Sequence, residues 1–161
     1  MERATLIEEG KNWLTLRFAQ ELLHQARAWY EETHQPEIIG RAQKLFLDWT
    51  QGEFKALELE NGMLNEVQRS DDGSRVPLIG LSRGTKEALY LSLRLAFIEY
   101  LAKDSEPLPI VMDETLVDFD ANKTERIARS LEAFSKHHQI IYLTCHPNSN
   151  IIADRKIPLQ V

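Results

Sequence analysis

Apolar positions in the first third of the chain recur at helical spacing. Leu6, Trp13, Leu16, Leu23, Ala26 and Tyr30 fall near three, four and seven residues apart in an otherwise charged stretch, which predicts a long amphipathic helix over about 2–33. Gly10 is a weak point inside it. Gln35-Pro36 interrupts the pattern, because the residue before proline disfavours helix and proline suits a first helical turn. A second helix is therefore expected over 36–49, with Ile38, Ile39, Ala42, Leu45, Phe46 and Trp49 on its apolar face. Thr50-Gln51-Gly52 ends it.

Beyond Gly52 the period falls to two. Phe54, Leu57 and Leu59 precede Asn61-Gly62, a hairpin turn signal, so a strand and a return strand over 63–68 are expected. A polar loop over 69–75 leads to a short extended segment, Val76-Pro77-Leu78-Ile79, and then to Gly80. Residues 85–103 read as a helix with apolar side chains on nearly every side, which places it between two layers. Thereafter strand and helix alternate, the pattern of a parallel sheet with flanking helices. Leu108-Pro109-Ile110-Val111-Met112 and residues 139–144 are short apolar runs, expected to be strands buried on both faces. Asn122-Lys123-Thr124-Glu125 resembles a capping box that opens a helix over about 122–136, and 156–161 read as a final edge strand.

Composition narrows the class. At 161 residues and 43% hydrophobic, the chain can bury one ordinary core. It holds no apolar run near the roughly 20 residues of a membrane span, and Met1-Glu2-Arg3-Ala4-Thr5 lacks a signal-peptide pattern, so a cytoplasmic protein is expected. The formal charge of −6 excludes general electrostatic attraction to nucleic acid, and DNA contact would need a local patch or another part of an assembly. Cys145 is the one cysteine, so no internal disulfide can form.

Several residues can carry chemistry. Leu81-Ser82-Arg83-Gly84-Thr85 stands before the apolar helix, where first-turn N–H groups and the Ser82 hydroxyl can face an anion; taken alone, the pentapeptide reads sooner as a serine cap with a tight turn, and the anion reading gains weight only from its neighbours. Asp113-Glu114 follows an apolar strand, at the carboxyl edge where open α/β sheets bind ligands. One such carboxylate can hold Mg²⁺ while the other orients or deprotonates a water. Asp120 lies before the next helix, as a cap or as a site residue. His146 closes Thr144-Cys145-His146 at the second strand end, within reach of a phosphate or a water. Cys145, His137, His138 and His146 lack any Cys-x-x-Cys or His-x-x-x-His spacing, so a zinc site is not expected.

The order of these elements resembles the C-terminal lobe of ABC-type ATPase heads of the SMC, SbcC and RecN class. The residues that carry the resemblance are Leu-Ser-Arg-Gly-Thr, an apolar strand ending Asp-Glu, an aspartate six residues on, and an apolar strand ending Thr-Cys-His. Leu89 to Ala96, Leu116-Val117-Asp118-Phe119-Asp120 and Cys145-His146-Pro147 look most like the YhaN-like bacterial coiled-coil ATPases. Glu31 to Pro36, with Ala42, Phe46, Thr50 and Gly52, resembles the point where a returning coiled-coil arm enters the head.

That resemblance implies the C-terminal lobe of a P-loop NTPase fold, with a helical arm base over 1–50 and an ATPase lobe over 51–161. It implies that Ser82, Arg83 and Gly84 are the signature, Asp113 the Walker B magnesium residue, Glu114 the catalytic base, Asp120 the D-loop aspartate and His146 the switch histidine. ATP and Mg²⁺ are the implied cofactors of the complete head. No Gly-x-x-x-x-Gly-Lys-Ser/Thr occurs among the seven scattered glycines, so the phosphate-cradling loop is expected on another segment. The chain is thus expected to be one half of a head, inactive alone. Its implied partners are the Walker A half, a second head in a dimer, a metallophosphoesterase nuclease, and DNA through the complete assembly, in repair or chromosome maintenance. Two other readings stand beside it: a non-enzymatic module that docks a partner through residues 2–50, and a metal-dependent nuclease built on Asp113, Glu114, Asp118 and Asp120.

Overall fold

The computed structural model describes residues 2–60, 62–146 and 153–158. Helix α1 runs over Glu2–Trp49 with Pro36 inside it. The expected break at Gln35-Pro36 does not occur. Proline removes one backbone donor and disfavours the preceding turn, but helix propagation is cooperative, and the lost bond falls where the chain divides into two units, between Glu37 and Ile38. In the first unit Trp13, Leu14, Leu16, Phe18, Leu22, Leu23 and Trp29 are all exposed.

The second unit is organised around the last turns of α1. Ala42, Phe46 and Trp49 are fully buried, and Leu45 nearly so. Three polar contacts pin this segment to the elements around it. Gln43 Oε1 accepts from the Leu57 backbone at 3.0 Å, Trp49 Nε1 donates to Ser130 Oγ at 2.9 Å, and Arg126 Nη1 donates to Asp48 Oδ1 at 3.1 Å. The buried indole N–H thus has its partner, as burial of a polar group requires.

Strands β1 (Phe54–Glu60), β2 (Met63–Arg69) and β3 (Arg75–Pro77) form an antiparallel sheet in the order β1-β2-β3. The hairpin falls where its sequence predicts, and Gly62 takes the positive φ of 76° that the turn demands. The 69–75 loop is shorter than expected because Arg75 already pairs with Gln68, and Leu78–Gly80 close into a 3₁₀ turn rather than continuing extended.

Helix α2 (Arg83–Leu101) buries Ala88, Leu89, Leu91, Ser92, Leu95 and Ala96. Its opposite side is not covered by the described residues: Tyr90, Phe97 and Leu101 are exposed. Strands β4 (Ile110–Asp113) and β5 (Ile140–Leu143) pair in parallel, Ile110 opposite Ile140 and Asp113 opposite Leu143. The expectation of burial on both faces is corrected in the same sense. Ile110 and Met112 join the core with α2 and with Ile127, Leu131 and Phe134 of α3 (Ala121–Ser135). On the other face Val111 is 63% exposed, Ile141 41% and Leu143 40%. No second layer from the described residues covers that face.

Helix α3 is capped by Asp120, two residues earlier than the capping box expected at Asn122. Residues 156–158 are not a strand, and 159–161 lie outside the described residues. Among the described residues no helix is long and apolar enough to cross a membrane.

Candidate active site

The parallel register sets the site. With Asp113 opposite Leu143, the next residues on each strand, Glu114 and Thr144, leave the sheet side by side. The Glu114 N–H extends the ladder to the Leu143 carbonyl at 3.0 Å, and the chain then turns sharply, with φ of 46° at Glu114. A left-handed glutamate is uncommon, and such positions gather at functional sites. The turn is fastened by Val117 N–H to the Glu114 carbonyl at 3.2 Å and by Leu116 N–H to the Tyr142 hydroxyl at 3.3 Å. Burial raises the Tyr142 phenol above its ordinary range, and the nearby Glu114 and Asp113 charges add to the effect. The Tyr142 hydroxyl oxygen, as acceptor of the Leu116 N–H, holds the turn.

Glu114 is gripped by the end of β5. Thr144 Oγ1 donates to both carboxylate oxygens at 3.2 Å, and the Cys145 backbone N–H donates to Oε1. Thr144 Oγ1 in turn accepts from the His146 backbone N–H at 3.0 Å. These donors hold the Glu114 carboxyl below the usual glutamate range, the Cys145 N–H first, then the Cys145 side chain, Thr144 and the His146 charge. The same carboxylate pushes the Cys145 thiol up, by hydrogen bonding and by its charge. A single carboxylate, that of Glu114, and residues Thr144, Cys145 and His146 share one network.

The start of α2 is attached to the same region by another route. Ser82 caps the helix, its Oγ accepting from the Thr85 N–H at 3.2 Å and lying 2.8 Å from Thr85 Oγ1. Arg83 Nη2 donates to Asp118 Oδ2 at 2.9 Å. A Cβ on Gly84 would sit 3.2 Å from the Asp118 carbonyl oxygen, so this close approach is where glycine is needed. The Ser82-Arg83-Gly84 corner is therefore fixed to the loop that follows Glu114. Asp120 Oδ1 accepts from the Lys123 N–H at 2.9 Å, and that bond, with the Lys123 charge, holds its carboxyl below the usual range.

The structure thus brings the Glu114 side chain and the His146 backbone into one hydrogen-bonded cluster through Thr144, and Arg83 and Gly84 against Asp118, with Ser82 capping the same helix. Asp113 is exposed at the end of β4, an all-oxygen ligand of the kind Mg²⁺ prefers. The roles of Thr144, Tyr142 and Asp118 as clamps were not legible in the sequence, since each acts across a separation of 26 to 35 residues.

This is a mixed α/β unit whose polar residues gather at the carboxyl ends of two parallel strands. Its fold is that of part of an SMC head domain. The chain aligns with a structure from work on ATP-driven dimerization and DNA-stimulated activation of SMC ATPases, at a TM-score of 0.59 and 20% identity, over 74% of this chain and 73% of that one. The Smc head of Pyrococcus furiosus, with an extended coiled coil and bound to the C-terminal domain of ScpA, aligns at 0.58 and 19% identity, over 81% of this chain and 33% of that one. The SMC head domain of Thermotoga maritima aligns at 0.51 and 25% identity, over 72% and 40%. The chain thus spans a third to two fifths of the latter two. No protein-family model matches the sequence, and no curated protein does.

Proposed function

We propose that this chain is the C-terminal half of an ATP-hydrolysing head of the SMC and SbcC kind, closest to the YhaN-like group, which works when joined to a Walker A half and closed against a second head. The observation that carries this reading is the meeting of Glu114, Thr144 and His146 at the ends of β4 and β5. In it Glu114 is the general base toward water, His146 the group facing the terminal phosphate, and Asp113 the residue that would hold Mg²⁺. Ser82, Arg83, Gly84 and Asp120 face the nucleotide and the opposing head. ATP supplies the phosphoryl group and Mg²⁺ neutralises its charge. The fit is favourable for Mg²⁺ at Asp113. At Ser82 the hydroxyl already serves the helix cap, so an incoming phosphate would rely on the first N–H groups of α2.

The exposed apolar face of β4 and β5 supports the need for a second half, because parallel sheets are covered on both faces. Residues 1–50 form the arm base, its last turns seated in the lobe, and the process served is DNA repair or chromosome maintenance. Hydrolysis by the chain combined with its Walker A half tests the assignment. Glu114→Gln is expected to keep ATP binding and head association but to slow turnover by about 10²–10⁴-fold, with His146→Ala also slowed. Turnover at the parental rate in Glu114→Gln would sink the reading.

A second reading draws on the exposed Trp13, Phe18, Leu23 and Trp29 of α1: a docking arm for a partner such as a metallophosphoesterase nuclease, since aromatic side chains dominate binding hot spots. Capture of that partner by the full chain, and its loss without residues 2–50, would favour it. A two-ion nuclease has little support, because Asp118 is engaged by Arg83 and Asp120 by the start of α3.

A further inference from the structure

Glu114, Cys145 and His146 each offer one ligand atom, and the three atoms lie within 4.8 Å of one another. One oxygen, one sulfur and one nitrogen therefore converge at the ends of β4 and β5. We propose that this corner is a binding site for a soft or borderline divalent cation of the zinc class, held by the Glu114 carboxylate, the Cys145 thiolate and the His146 imidazole, with water completing a tetrahedron.

The donor set selects the ion. Mg²⁺ and Ca²⁺ take oxygen ligands and gain nothing from a thiol or an imidazole, whereas Zn²⁺ accepts all three donor types. Tetrahedral zinc with bonds of about 2.0–2.3 Å places its ligands roughly 3.3–3.8 Å apart. The present spread of up to 4.8 Å is close to that spacing, and the Cys145 and His146 side chains are exposed, with Glu114 half-exposed and held by Thr144 and the Cys145 N–H. Binding converts the Cys145 thiol to a thiolate, and the proton passes to solvent. Glu114 now disfavours that ionisation; a dication seated between the two groups reverses the balance, since its own charge dominates the local field. Sequence spacing could not show this site, because its first ligand comes from the other strand, 31 residues before Cys145, and neither His137 nor His138 takes part.

The site stands without any assumption about ATP. Its consequence does rest on the function proposed above: a carboxylate committed to zinc cannot serve as a base, so zinc would hold the head inactive.

Titration of the reduced, metal-free 161-residue chain with Co²⁺ and then Zn²⁺, in the absence of nucleotide, tests the proposal. One cobalt per chain with a thiolate-to-cobalt charge-transfer band is expected, displaced by one equivalent of Zn²⁺ and unaffected by millimolar Mg²⁺. Cys145→Ser abolishes the band and weakens Zn²⁺ at least about tenfold, and His146→Ala weakens it comparably; His137→Ala changes neither. Unchanged far-ultraviolet circular dichroism checks that each variant is folded. Absence of the band, Zn²⁺ affinity unchanged in Cys145→Ser, or loss of binding in His137→Ala would each overturn the site. None of these results depends on hydrolysis, so failure here leaves the ATPase reading intact, and failure of the Glu114→Gln test leaves the metal site intact.

Discussion

Asp120 separates a structural from a functional role most cleanly. Its side chain accepts from the Lys123 N–H at 2.9 Å and caps α3, while the Lys123 ammonium lies 3.7 Å away. Asp120→Ala removes the cap, which costs about 0.5–2 kcal/mol. The ion pair adds at most a few tenths of a kcal/mol, because the Asp120 side chain is 62% exposed and solvent screens it. A loss of about 1–2 kcal/mol is therefore expected, or roughly 3–6 °C in Tm for a chain of this size. Asp120→Asn keeps a capping oxygen and should cost almost nothing. Urea unfolding followed by tryptophan fluorescence reads the difference, since Trp49 is buried while Trp13 and Trp29 are already exposed. The sign with pH follows from the Asp120 carboxyl, which the Lys123 N–H lowers in the folded chain. The charge-dependent share of its stabilisation is fully present above the unfolded aspartate value of about 3.9 and is lost as pH falls through the lower folded value. Asp120→Asn lacks that dependence. A cost below about 0.3 kcal/mol for Asp120→Ala, or an Asn variant as unstable as the Ala variant, would refute the cap.

Thr144→Val removes a donor to both Glu114 oxygens, so the Glu114 carboxyl should rise toward the ordinary range yet stay below it while the Cys145 N–H remains; carboxyl-carbon NMR titration reads the shift, and an unmoved Glu114 would contradict the clamp. Trp49→Phe leaves Ser130 Oγ without its donor and opens space in the core, costing about 1–3 kcal/mol by circular-dichroism melting. Stability equal to the parent would mean that the indole contributes no net anchoring of α1 to α3.

Local signals in the sequence located most elements, and the misses share a cause. The hairpin is legible because Gly62 and the period-two apolar positions act within a few residues. The β4 and β5 strands are legible as short apolar runs. Pro36 reads as a stop because the rule for proline is local, whereas the helix continues into turns whose burial is tertiary. Asn122 reads as the cap because of the Glu125 spacing, but Asp120 begins the helix first and its oxygen reaches Lys123. The candidate site divides in the same way. Strand-end positions single out Asp113, Glu114 and His146 as candidates, while the contacts of Glu114 with Thr144 and Cys145 come from register, which a single sequence does not display. Arg83 with Asp118, and Glu114 with Cys145, are meetings that only the folded chain reveals.

Both misjudged burial patterns point the same way. The apolar runs of β4, β5 and α2 carry more hydrophobic side chains than the described residues cover: Val111, Ile141 and Leu143 on the sheet, and Tyr90, Phe97 and Leu101 on the helix, are exposed among them. Fully burying one such aliphatic side chain contributes about 1.5–3 kcal/mol, so covering the half-exposed sheet residues alone would supply several kcal/mol to an association. Leu143 directly precedes Thr144, and Val111 lies three residues before Glu114. A layer laid over that face would therefore border the cluster of Glu114, Thr144 and His146, and by excluding water it would strengthen every charge interaction there. Completion of the core and completion of the site would then be one event. Such coupling predicts that a Walker A half which binds this chain must also protect Val111 and Ile141 from solvent, a change that hydrogen exchange along β4 and β5 would register directly.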